Sequence, residues 1–143
     1  NGAIGQMIFA IAAGKLHYSF VQAVALGILC NGLVCLAVWL TYSARTTTDK
    51  ILAILFPVTA FVAAGFEHSV ANMYFMPLAL FIRQFDPAFV TATLAASANP
   101  PDLSGLNWSA FLVQNLLPVT LGNILGGGVL VAAIYWFVYL RKR

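Results

Sequence analysis

Gly65-Phe66-Glu67-His68-Ser69 sets an acid beside an imidazole between two apolar runs, ILAILFPVTAFVAA before it and VANMYFMPLALFI after it. An imidazole titrates near neutral pH, so it can donate a hydrogen bond to an anion or exchange a proton with it. A carboxylate beside it can accept hydrogen bonds from exposed backbone amides. In water such a stretch would be a loop between helices. Inside a membrane, ionisable groups are costly and mark a transport path, a relay or a buried partner. Asn31 and Asn123 also stand within apolar runs. Each should face the protein interior or a pore: for Asn31 an interhelical hydrogen bond and a pore lining are both open, while Asn123, beside Gly122, is placed toward a pore.

Other chemistries are poorly supported. His17 opens its apolar run and reads as a wet, interfacial histidine. It does not match the depth of His68, as a bis-histidine haem would require. Cys30 and Cys35 are five apart, fall on different faces of a helix, and read as packed thiols. Cys-x-x-Cys, zinc, phosphate-loop and nucleophile-elbow patterns are missing, so neither a cofactor nor enzyme activity is expected.

The elements that must position these residues follow from composition. The 143 residues are 62% hydrophobic and 8% charged, with a mean hydropathy of +0.91. A soluble domain carries roughly 25% charged residues, so this chain reads as an integral membrane protein. Its formal charge of +3 is spread over scattered basic residues, which argues against nucleic-acid binding.

The fold class expected is an all-α membrane protein with three transmembrane helices, the middle one broken. Residues 1–16 read as a loop or short surface helix carrying Lys15, and 17–44 as the first span, with aromatics toward both ends. A polar loop, RTTTDK, follows. The apolar stretch 51–85 would be roughly 50 Å long as one straight helix, against a hydrocarbon core of about 30 Å, and the natural break is 65–69. There the N-terminus of the second half-helix faces the break and favours an anion. Residues 86–107 carry three prolines and two aspartates and read as a loop with room for a short helix; 108–140 form the last span. Within that span Gly122 and Gly126 make a small-xxx-small pattern that permits close helix approach.

Arg45 and Lys50 flank one loop, and Arg141, Lys142 and Arg143 follow the last span. Three crossings put both sets on one side, expected to be cytoplasmic. The chain then starts outside, on NGAIGQMIFA and without an initiator methionine, which suggests that upstream spans belong to the protein.

GFEHSVANM, PVTLGNILGGG and NGLVCLAVWL, in their order, closely resemble the formate/nitrite transporter family, and the resemblance covers Lys15 to Arg143. It implies a six-helix protomer of two inverted repeats with an aquaporin-like fold and a homo-pentameric assembly in the bacterial inner membrane. This chain is similar to the second repeat, so the N-terminal repeat is a missing partner. Position by position, His68 matches the central pore histidine and Glu67 its neighbour, thought to help hold the loop. Asn123 and Asn31 match pathway asparagines, Lys15 a lysine of the anion path, and Phe61 and Val34 apolar constrictions. Phe66 and Pro118 are more like the formate than the nitrite members, which tend to carry Tyr and Trp there. The expected function is passage of formate and similar small monovalent anions, passive or proton-coupled. The alternatives are a nitrite channel of the same family, a non-transporting membrane-anchor subunit of a redox enzyme, or a structural scaffold.

Overall fold

The computed structural model describes residues 2–141, so Lys142 and Arg143, used above for orientation, lie outside the described residues. The described residues are all-helical, with no strand among them. The chain packs as two compact units. One joins the residues up to Phe20 with Val70–Leu117, the other Val21–Ser69 with Pro118 onward.

In the first unit the Gly-rich opening is a helix, α1, Gly2–Gly14, which buries one side and leaves Ile4 and Met7 exposed on the other. Its Phe9, Ala12 and Ala13 are buried in a core with Met76, Ala79, Leu80, Leu103, Leu106 and Phe111. Small residues allow close contact here: a Cβ at Gly5 would come within 2.8 Å of the Phe89 ring. Residues 87–95 form a short helix, and its cap Asp86 accepts the N–H of Phe89 at 3.0 Å. Beyond it the Arg83 guanidinium donates to the carbonyls of Leu103 and Leu106, fastening the proline-rich loop. In that loop the N–H and hydroxyl of Ser104 hold the Asp102 carboxyl below the usual carboxylate range.

The second unit is built on two long helices, α2, Phe20–Thr41, and the last helix, Ala110–Leu140, which gives each unit a part. Both are long and apolar enough to cross a membrane, with mean hydropathies of 2.3 and 1.8. In chain order next come α3, Thr47–Ala63, and α4, Ser69–Phe85, which apart from Ser69 belongs to the first unit; they have 17 residues each, short of the roughly 20 that one crossing needs. A capping box starts α3: Thr46 Oγ accepts from the N–H of Asp49, and the Asp49 carboxylate accepts from the N–H of Thr46. Bonding to the Thr46 hydroxyl, and then to its N–H, lowers the titration of Asp49. Every side chain of α3 keeps part of its surface free; Ile51, Phe56 and Val62 are 61%, 74% and 65% exposed. A helix apolar on all sides belongs in lipid or inside a larger protein.

Glycines let α2 and the last helix touch backbone to backbone. A Cβ on Gly122 would land on the Val24 carbonyl oxygen, and one on Gly126 on that of Ile28. From the other side, a Cβ on Gly27 would come within 2.8 Å of the Val119 carbonyl oxygen. The last helix also alternates α turns with wider π turns; the Leu117 N–H, for instance, bonds back five residues to Leu112. This packing predicts that Gly126→Val destabilises the full-length protein by about 2–3 kcal/mol. Gly128→Ala, whose new methyl would meet only Ile124 Cγ2 at 4.0 Å, should be tolerated. Thermal unfolding in detergent checks both.

Candidate functional site

The break between α3 and α4 is a designed helix stop. Gly65 has φ +68, a left-handed conformation that side chains disfavour. Its N–H bonds to the Val62 carbonyl at 3.1 Å, and the Phe66 N–H to the Phe61 carbonyl at 3.0 Å. This paired pattern is a Schellman motif, which satisfies the last carbonyls of α3 without water. The chain then runs irregularly through Phe66, Glu67 and His68 before α4 begins at Ser69.

Asn123 fastens this loop. Its Oδ1 accepts the N–H of Ser69 at 3.0 Å and the Ser69 hydroxyl at 2.9 Å. Its Nδ2 donates to the Glu67 carbonyl at 3.0 Å and to the Gly27 carbonyl on α2 at 2.9 Å. Both amide hydrogens and both acceptor directions are therefore used by protein, and the residue is 7% exposed. The side chain works as a clasp among α2, the loop and the start of α4. Asn31 reinforces it by donating from Nδ2 to the Asn123 backbone carbonyl at 2.6 Å. Immediately after Asn123 the last helix widens into π turns over Ile124–Val131. A side-chain amide inserted into the carbonyl ladder is a known cause of such widening. Gly127 makes room for it, since a Cβ there would strike the Asn31 amide.

What the clasp presents is His68. Its ring stacks on Phe61, with centroids 5.9 Å apart and planes 19° from parallel. That separation suits an offset aromatic pair. Both residues are half-buried, whereas Glu67, next to His68, is 2% exposed. Phe61 lies in the last turn of α3, one helical turn before the glycine stop, so the stop that ends α3 also sets His68 against its ring. The pair offers a flat apolar wall beside an imidazole, suited to holding a small anion or exchanging a proton with it.

The remaining residues singled out from the sequence lie elsewhere. Val34 is half-buried on α2. Lys15 belongs to the other unit, just beyond α1. Two buried asparagines there, Asn72 and Asn115, escaped the sequence reading. The signal that singled out Asn31 and Asn123, an amide inside an apolar run, applies equally to them. Groups of His, Cys, Asp or Glu able to hold a metal are absent among the described residues.

Comparison with known proteins agrees with this architecture. The family described as formate/nitrite transporter matches residues 1–137. The formate channel FocA of Escherichia coli (strain K12) is 48% identical over 144 residues, covering 100% of this chain and 50% of that protein. A probable formate transporter of Methanothermobacter thermautotrophicus is 44% identical over 142 residues, 98% of this chain and 44% of that protein. A solved pentameric formate channel with formate bound superposes with a TM-score of 0.85 at 49% identity, over 99% of this chain and 55% of that one. The chain spans about half the length of the curated relatives it matches.

The clasp yields a graded set of variants. Asn123→Leu strands buried carbonyls and the Ser69 N–H, at about 1–3 kcal/mol for each group left unsatisfied. Asn123→Asp should be comparably harmful, because a carboxylate would face the Glu67 and Gly27 carbonyls. Gly65→Ala meets no atom within 4 Å, so its cost is conformational, about 1–2 kcal/mol, and Gly65→Asn should cost less. Denaturation midpoints of the full-length variants would reveal this order.

Proposed function

The chain belongs to the formate/nitrite transporter family, and from that premise we propose that it forms half of a pathway for formate and similar small monovalent anions. The observation that carries this reading is His68, held half-buried against Phe61 at a helix break. The family is one of transporters and channels, not enzymes, and the protein is a membrane protein.

Lys15 supplies positive charge that concentrates the anion. Phe61 and Val34 narrow the path with apolar surface, which disfavours hydrated ions because stripping water from a full charge is costly. His68 then donates a hydrogen bond to the carboxylate, or gives up its proton. In the second case protonated His68 becomes neutral imidazole and formate becomes formic acid, which crosses apolar surface far more readily. Glu67 and Asn123 act on the loop: Asn123 bonds the Glu67 carbonyl and the Ser69 N–H on either side of His68, so the imidazole is carried on a short tether fixed at both ends. Asn31 serves the pathway through its bond to Asn123.

The working assembly is a homo-pentamer of six-helix protomers in the bacterial inner membrane, with the C-terminus cytoplasmic. Three things support this. The structurally similar channel is pentameric, the relatives are about twice as long, and α3 keeps so much apolar surface uncovered.

Formate flux into liposomes carrying the full-length protein, with pH followed on both sides, tests the reading. Formate entry with matching external alkalinisation would assign proton exchange to His68. Entry that builds a voltage at constant pH would make His68 a hydrogen-bond donor only. Free passage of nitrite with none of formate would move the assignment to nitrite. His68→Ala should abolish flux in a protein that still folds and assembles; unchanged flux would sink the proposal and leave a structural scaffold.

A further inference from the structure

The winding of the last helix changes along its length. It is α over Leu117–Asn123, π over Ile124–Val131, α again over Ala132–Tyr135 and π over Trp136–Leu140. At the end of the first of these π stretches, the Ala132 N–H bonds back five residues to the Gly127 carbonyl. π winding is rare and mostly confined to single turns, many of them at functional sites. A stretch of eight residues therefore asks for a cause outside the helix.

The neighbouring α2 supplies one. Asn31 donates from Nδ2 to the Asn123 carbonyl at 2.6 Å, at the residue after which the widening starts. The same amide fills the space that Gly127 leaves: a Cβ there would strike Asn31 Nδ2 and come within 2.8 Å of Cys35 Sγ. An amide drawn into the carbonyl ladder keeps that ladder from closing at α spacing. Disfavoured geometry of this kind persists only while its surroundings hold it. The side chain of Asn123 also bonds the Glu67 carbonyl, so the pinned residue is a support of the loop that carries His68.

The widened stretch has room to turn. Beyond Gly127, α2 and the last helix enclose a cleft of about 430 Å³, walled by Cys35, Val38 and Trp39 on one side and by Val131, Ala132 and Tyr135 on the other. Leu130 lies off this wall and is 51% exposed. An α turn closes in fewer residues than a π turn, so tightening Ile124–Val131 would bring the cleft-facing positions roughly one or two residues earlier. Leu130 would then turn in and Ala132 out. We propose that Ile124–Val131 is a hinge between π and α winding, pinned in the π form by Asn31, which thereby sets the residues that wall the cleft. The cleft begins on α2 at Cys35, directly after Val34, so the hinge alters the space beside the constriction proposed there; the hinge itself does not depend on that reading.

Cys35 is a built-in reporter. The full-length protein, carrying either Ala132→Cys or Leu130→Cys, is treated in liposomes with a short bifunctional thiol reagent, and the linked peptides are quantified by mass spectrometry. With Asn31 in place, Cys35 should link to position 132 in preference to 130. Asn31→Ala, which withdraws the pin, should reverse that preference. Gly127→Ala should reverse it too, because its methyl displaces the Asn31 amide from the opposite side. Gly128→Ala raises helix propensity equally, but its methyl meets only Ile124 Cγ2 at 4.0 Å, so the preference for 132 should stay. A preference for 132 that survives in either the Asn31 or the Gly127 variant, once assembled, would overturn the hinge. So would a reversal produced by Gly128→Ala, which would trace the change to helix propensity and not to the pin. Failure of both the Asn31 and the Gly127 variants to assemble would also overturn it and leave Asn31 a purely structural bond. Linkage to 130 in the otherwise unmodified protein would refute the pinned π form itself.

Discussion

A helix broken within hydrocarbon exposes amides and carbonyls that neither lipid nor water satisfies, and each costs several kcal/mol if left alone. The structure of the second unit follows from meeting that demand. The Schellman turn at Gly65 closes the end of α3 from within. The Asn123 side chain meets the loop's remaining needs from outside, bonding Glu67, Ser69 and Gly27 at once. An amide suits this work because it combines two donors with a two-fold acceptor in one plane. A carboxylate could not bond the two carbonyls, and an ammonium could not accept from Ser69.

That clasp then constrains the helix packing. Asn123 reaches the Gly27 carbonyl only if α2 and the last helix lie at backbone contact, which the glycines at 27, 122 and 126 allow. Lipid provides no hydrophobic force to press helices together, so close packing and interhelical hydrogen bonds must hold them. Here the two are coupled: the glycines bring the helices near enough for the amides to bond, and the amides fix the register in which glycine faces glycine. The π turns after Asn123 belong to the same arrangement, since Asn31 takes the Asn123 carbonyl. Rigidity around His68 is therefore a property of three segments acting together.

Much of this was legible in the sequence, for reasons that differ from residue to residue. The broken middle helix could be read because a largely apolar stretch of 35 residues, 51–85, exceeds the membrane thickness and GFEHS is the polar interruption near its centre. The small-xxx-small pattern announced a close helix contact without naming its partner. Asn123 could be read as facing inward, but not as a saturated clasp. Its partners stand 54, 56 and 96 positions away, and depth in a span says nothing about which distant carbonyl arrives there. Phe61 could not be distinguished by periodicity from other aromatics of its run; the resemblance to a family selected it, and the stack on His68 now gives that choice a physical content. The opening stretch reads as either a loop or a short helix because alanine and glycine carry little hydrophobic contrast, and the buried stripe of Phe9, Ala12 and Ala13 leaves almost no amphipathic signal.

The two buried amide systems share a logic. In each, an asparagine of the last helix bonds the main chain of a segment carrying an ionisable side chain: Asn123 beside His68, Asn115 at Lys15. A charged partner in place of the amide would shift the proton affinity of the group it held. Asparagine fixes position while adding no net charge.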